Sequence, residues 1–195
     1  MAKLVLASAS PRRQALLRQI GIRDFDIRVS DADESYDPAL SPGEIVETLS
    51  RRKAEAVSCG PEEIVIAADT MVFLDEQRLG KPADPADALR MLRSLQGRTH
   101  TVRTGVTVRR GTRYLTGCES TAVRFRELTT PQIQAYVDSG EPLDKAGAYG
   151  IQGLGALLVE EIHGDYFNVM GLPLLRLARM LASFGVDLLE PNGGQ

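Results

Sequence analysis

Six charged side chains occupy positions where a charge is either costly or concentrated: the cations Arg12, Arg13, Lys53 and Lys81 and the anions Glu34 and Asp69. Asp69 follows the continuous apolar run Ile64-Val65-Ile66-Ala67-Ala68, the mark of a strand buried on both faces. A carboxylate there is expensive unless it is paired, metal-bound or at a strand edge, which makes Asp69 the strongest catalytic candidate in the chain. Arg12 and Arg13 follow Ser8-Ala9-Ser10-Pro11, where a short strand turns into a helix capped by Ser10 with proline at its first position. Free backbone N–H groups and the positive end of the helix dipole make such a turn a site for an anion, and two arginines add permanent charge. A capped helix with two solvated arginines accounts for that stretch equally well. Lys53 falls in the middle of an apolar stripe formed by Ile45, Val46, Leu49, Ala56 and Val57, so it either snorkels to the edge or extends to meet an anion. Lys81 is held between Gly80 and Pro82, although an exposed loop lysine is the simpler local reading. Glu34 belongs to an acidic loop with Asp31 and Asp33, a composition that ordinarily marks solvated surface.

Taken together, these residues suit a nucleoside triphosphate and a divalent cation. Arginine binds phosphate bidentately and lysine acts as a point charge. Carboxylates are hard ligands for Mg²⁺ or Mn²⁺, or a base that takes a proton from water. Further along, Lys145 to Gly155 carries glycines at 147, 150, 153 and 155, a density that lets backbone pass close to a ligand. Gln152 within it offers a donor and an acceptor, suited to a base edge. The spacing matches neither the P-loop nor the dinucleotide fingerprint. His163 reads as an isolated turn residue and His100 as a strand residue, neither with a visible metal or nucleophile partner.

The elements that must position these groups follow from local signals. A first helix runs from Pro11 to Gln19 or Ile20, burying Ala15, Leu16 and Ile20 and stopping at Gly21. Phe25 to Val29 alternates as a half-buried strand, and the capping box Ser41-Pro42-Gly43-Glu44 opens a helix reaching about Ser58. Asp75 to Arg78 reads as a hairpin turn, Asp84-Pro85 starts a helix ending at Gly97, and Val102 to Phe125 makes a long antiparallel hairpin around Arg110-Gly111-Thr112. Thr130-Pro131 caps a short helix, Ala156 to Ile162 forms a strand, and Leu172-Pro173 begins a last helix with Leu175, Ala178, Leu181 and Phe184 inward. This pattern predicts an α/β chain with a central mixed sheet, flanking helices and two lobes around a cleft, as one domain over residues 1–190 with a loose tail over 191–195.

Composition narrows the class of partner. The chain has 195 residues, 43% hydrophobic and 25% charged, with a formal net charge of −3 that argues against general nucleic-acid binding while allowing a local basic pocket. No apolar run approaches the roughly 20 residues needed to span a bilayer, and no signal-like stretch opens the sequence. Cys59 and Cys118 suggest neither a disulfide framework nor a zinc site. A cytoplasmic setting without membrane or nucleic-acid partners is expected.

Ser8-Ala9-Ser10-Pro11-Arg12-Arg13 with Leu16-Leu17, Ala68-Asp69-Thr70, Gly80-Lys81-Pro82, Gly97-Arg98-Thr99-His100 and Gly147-Ala148-Tyr149-Gly150-Ile151-Gln152-Gly153 together resemble the Maf family of nucleotide pyrophosphatases. The resemblance runs from about Leu4 to the last helix, and five motifs in order are highly specific. It implies a Maf/ITPase-like fold and a metal-dependent hydrolysis of a nucleoside triphosphate to the monophosphate and pyrophosphate. It further implies Asp69 as proton acceptor, Glu34 as partner carboxylate near the Mg²⁺ or Mn²⁺, and Ser8, Arg13, Lys53 and Lys81 as phosphate binders. The acidic loop aligns loosely and leaves Asp33 as an alternative to Glu34. Arg12, Thr70 and Gln152 match the positions that set base preference, in a combination similar to the branch acting on dTTP and UTP, with modified pyrimidine nucleotides as further substrates and a housecleaning role. A homodimer is also implied. The family's association with septum formation and cell-division arrest supplies the competing reading, a nucleotide-binding regulator without significant turnover.

Overall fold

The computed structural model describes residues 3–189, so the expected tail over 191–195 lies outside the described residues. In chain order the elements are β1 (Lys3–Leu6), α1 (Pro11–Gln19), β2 (Phe25–Ile27), α2 (Pro42–Ala56), β3 (Glu63–Leu74), β4 (Gln77–Leu79) and α3 (Pro85–Leu95). There follow β5 (Thr99–Arg110), β6 (Arg113–Phe125), α4 (Thr130–Asp138), β7 (Val159–His163), α5 (Tyr166–Met170) and α6 (Leu174–Ala182), with short 3-10 turns between α4 and β7. Among the described residues the strands form one sheet in the order β2-β1-β3-β5-β6-β7, with β4 pairing to β3. β1 runs parallel to β2 and β3, whereas β3 with β4 and β6 with β7 are antiparallel. The chain thus forms the expected mixed sheet with flanking helices.

Local chemistry sets the helix starts. Ser10, Ser41, Asp84 and Thr129 each accept a hydrogen bond from the backbone N–H three residues on, each with proline inside the first turn, and the Ser41–Glu44 and Thr129–Gln132 pairs form complete capping boxes. The fourth cap is therefore Thr129, one residue before the expected Thr130.

Tertiary packing decides the phases and ends, and several differ from expectation. α1 buries Leu16 and Leu17 while Ala15 is exposed. β2 stops at Ile27, although Arg28 N still donates to Leu6 O at 3.0 Å, and the Arg28 guanidinium lies on Glu63, at 2.6 and 2.7 Å, and on Asp26 at 3.0 Å. α2 ends at Ala56, which is exposed, and buries Ser50 and Ala54; Val57 leaves the helix in an extended conformation and buries its side chain. α6 buries Leu174, Leu177, Met180 and Leu181; of the residues expected inward, Leu181 and Phe184 are buried, Ala178 is half-buried and Leu175 is exposed. Residues Gly153–Leu157 curl into a 3-10 turn, so β7 begins only at Val159. α5 had no counterpart in the sequence reading; Asp165 caps it by accepting from Phe167 N at 2.7 Å.

The chain divides into two compact units. Among the described residues, the first comprises 3–69, Thr104–Glu119 and 171–189; the second comprises Thr70–Arg103 and Ser120–Met170. In the first, Val5, Ala7, Val65 and Ala67 of the sheet pack on Ala54 and Val57. Gly105 of β5 lies so close to α2 that a Cβ would sit 2.0 Å from the Val46 carbonyl oxygen. In the second, Leu92 and Leu95 of α3, Ile133 and Val137 of α4, and Val102, Val123 and Phe125 of the sheet share one core with Tyr149.

Candidate active site

β1 ends in the buried residues Val5 and Leu6, and just beyond it the buried Ala7 still donates its N–H to Ile66 O at 2.8 Å, so the chain leaves the sheet at Ser8. The turn into α1 is tied by its own hydroxyls. Ser8 Oγ accepts from Ser10 N and from Arg13 Nη1, both at 3.2 Å, and Ser10 Oγ accepts from Arg13 N at 3.5 Å. Arg13 Nε donates to Gly171 O at 2.8 Å. Arg13 is therefore folded back over the turn instead of solvated. Burial pushes its pKa down from the ordinary arginine value, the Asp69 charge opposes that fall, and the neighbouring Arg12 charge adds to it.

Leu49 and Ile45 lie one and two helical repeats before Lys53 on α2, and both are fully buried, which directs Lys53 inward. Its ammonium stands 2.6 Å from Asp69 Oδ1 and 2.8 Å from Glu34 Oε1. The Lys53 side chain is 16% exposed and that of Asp69 10%, against 72% for Glu34. Asp69 continues the buried run Ile64 to Ala68, and its second oxygen, Oδ2, is enclosed and accepts no hydrogen bond among the described residues. Asp33 faces elsewhere: it accepts from Ser35 N at 2.9 Å and Ser35 Oγ at 2.5 Å, and these bonds, with the nearby Arg52, hold its carboxyl below the usual range. Arg52 also donates to the Ser35 carbonyl, tying down the loop that carries Glu34. Glu34 is thus the acidic-loop residue that meets Lys53 beside Asp69.

Among the predicted residues, Ser8, Arg12, Arg13, Glu34, Lys53 and Asp69 belong to the first unit, and Thr70, Lys81 and Gln152 to the second. Lys81 is exposed, but its neighbour Gly80 is fixed, with its carbonyl accepting from Gly147 N at 3.0 Å. Gly147 has φ of +69°, and a Cβ there would meet Val72 Cγ2 at 2.9 Å, so the close approach to β3 needs glycine. Gln152 is exposed on the same glycine-rich segment.

Two groups hold that segment: Glu141, which the sequence did not single out, and His100, a strand residue as expected, whose partner the sequence did not show. Glu141 accepts from Tyr136 Oη at 2.9 Å, Leu154 N at 2.9 Å and Gly155 N at 3.0 Å. His100 Nε2 lies 2.7 Å from Tyr149 Oη, in a buried trio with Phe125. Neither has a periodic or spacing signal, because the partners of Glu141 are mostly backbone amides and those of His100 lie far along the chain. His163, read from the sequence as a turn residue, is instead the exposed last residue of β7, in register with Ala122.

Two carboxylates of hard oxygen donors, one with a buried and unused oxygen, already gather around a positive charge at Lys53, and this donor set fits a divalent cation. Compared with known proteins, the chain is 53% identical to a dTTP/UTP pyrophosphatase of Symbiobacterium thermophilum over 195 residues, covering 100% of both chains. It is 56% identical to a dTTP/UTP pyrophosphatase of Moorella thermoacetica over 191 residues, 96% of this chain and 98% of that one, and 48% identical to one of Bacillus pumilus over 187 residues, 95% and 98% respectively. Residues 3–184 match the family described as Maf-like protein, and the chain belongs to it.

Proposed function

We infer that this chain is a nucleoside triphosphate pyrophosphatase acting on dTTP and UTP, with modified pyrimidine nucleotides as further substrates. The observation that carries the reading is identity of about half or more over nearly the whole chain to proteins named for that activity. The buried Asp69, in contact with a lysine that also meets Glu34, supports it chemically. A cytoplasmic homodimer with a housecleaning role completes the proposal. Among the described residues no helix is long and apolar enough to cross a membrane.

In this reading Asp69 takes a proton from water, whose oxygen forms a bond to the α-phosphorus while the bond from that phosphorus to the α–β bridging oxygen breaks and pyrophosphate leaves. Ser8, Arg13 and Lys53 hold phosphate oxygens, and the fixed Arg13 guanidinium is already oriented by Ser8 and Gly171. Lys81 serves the phosphates as well, and Arg12, Thr70 and Gln152 the base. Asp69 and Glu34 would hold a divalent cation, Mg²⁺ or Mn²⁺, which when bound neutralises phosphate charge.

The test is pyrophosphate release from dTTP and UTP with and without Mg²⁺, in the wild type and in Asp69→Asn. The wild type should turn over only with the cation. Asp69→Asn should lose at least about a hundredfold in kcat while still binding nucleotide, the general-base contribution being of that order. Near-normal turnover by the variant would refute the role given to Asp69.

A further inference from the structure

We propose that Lys53 is a built-in stand-in for the divalent cation: its ammonium holds the Asp69 and Glu34 carboxylates together and has to let go of them when the metal binds. The inference rests on the Asp69–Glu34 cation reading above and deepens it. The contact distances of 2.6 and 2.8 Å put both carboxylates against one point charge. Two ionised carboxylates, one of them buried, are costly to bring together without such a charge, since each raises the cost of ionising the other. A small divalent ion sits about 2.0–2.1 Å from its oxygen ligands, so it and the ammonium claim the same volume and repel each other.

Arg13 acts on Asp69 electrostatically, and the two arginines that precede Lys53 on α2 are committed elsewhere. Arg51 donates to Glu55 at 2.8 Å and stacks over Tyr114, and Arg52 is turned to Ser35 and Asp33. Lys53 alone among these three reaches the pair. It carries its charge on a flexible four-carbon stem, so it can leave the carboxylates without any movement of α2. Asp69 Oδ2 gives the arriving cation a donor that the lysine leaves unused. A triphosphate then offers the displaced ammonium a new anion, so cation and nucleotide should favour each other's binding. The phosphate-binding role of Lys53 follows the arrival of the cation instead of preceding it.

The experiment is Mn²⁺ binding to the full chain without nucleotide, by calorimetry, comparing wild type with Lys53→Met and Lys53→Gln. Removing the competing ammonium should tighten Mn²⁺ binding by about tenfold, the scale of one charge pair in a partly buried setting. The metal-free variants should melt lower than wild type, because Asp69 is left buried and unpaired, and should gain more melting temperature from Mn²⁺ than wild type does. A wild-type measurement stands beside these: the Lys53 side-chain nitrogen resonance should shift as Mg²⁺ saturates the protein. Equal or weaker Mn²⁺ affinity in the variants, no binding by any of the three chains, or an unmoved Lys53 resonance at saturation would each overturn the inference. If turnover requires Mg²⁺ while the affinities are equal, the stand-in role alone is lost; if turnover needs no cation, the site reading fails with it.

Discussion

His100 is enclosed at 2% exposure, with its ring edge-on to Phe125 and Tyr149 and Nε2 on the Tyr149 hydroxyl. Burial pushes its pKa down from 6.5 to about 4. An unfolded chain therefore takes up this proton near pH 6.5 and the folded one only near pH 4, so the unfolded state binds more protons between those values. The stability this group supplies is complete above about pH 6.5 and falls as the pH drops toward 4, by something on the order of 3 kcal/mol. Urea unfolding at pH 7 and pH 4.5 should show a larger loss in wild type than in His100→Phe; parallel losses would refute the assignment. At this scale Asp69 and Lys53 were legible because each interrupts an apolar pattern. Glu141 was not, since an exposed-looking acid after Ser139-Gly140 gives no sign that two amides and a phenol converge on it.

Helix starts could be read directly because a cap is a contact within four residues, as at Ser41 and Asp84. Phases and strand ends could not. Leu175 and Leu174 are equally apolar, and only the tertiary packing of α6 decides which is buried. The approach of β5 to α2 is a similar case: nothing in Thr104-Gly105-Val106 announces that Gly105 faces the Val46 carbonyl. Because a Cβ would stand 2.0 Å from that oxygen, and backbone cannot swing aside as a side chain does, Gly105→Ala must part the strand from the helix. The substitution should cost about 2 kcal/mol or more, overpacking of this kind costing typically 1–3. Urea midpoints read the loss, and an unchanged midpoint would show that α2 moves freely over β5.

Across the whole molecule, the fold class followed from alternating helical and strand patterns, whereas the strand order β2-β1-β3-β5-β6-β7 did not, because long-range pairing leaves no mark in local sequence. The chain passes between the two units at Asp69–Thr70 within β3, at Arg103–Thr104 within β5, at Glu119–Ser120 within β6 and at Met170–Gly171; only the first of these coincides with a visible break in an apolar run, and the others left no local mark. The chain has five tyrosines and no tryptophan, so its near-ultraviolet absorbance belongs largely to phenols. Burial pushes the pKa values of Tyr136 and Tyr149 above the ordinary tyrosine value. In an alkaline spectrophotometric titration these two rings should stay dark until the chain around the glycine-rich segment comes apart. Their late absorbance step then serves as an intrinsic, label-free optical gauge of that unit's integrity, and a smooth ionisation of all five before any loss of circular dichroism would show that the phenols are open to hydroxide.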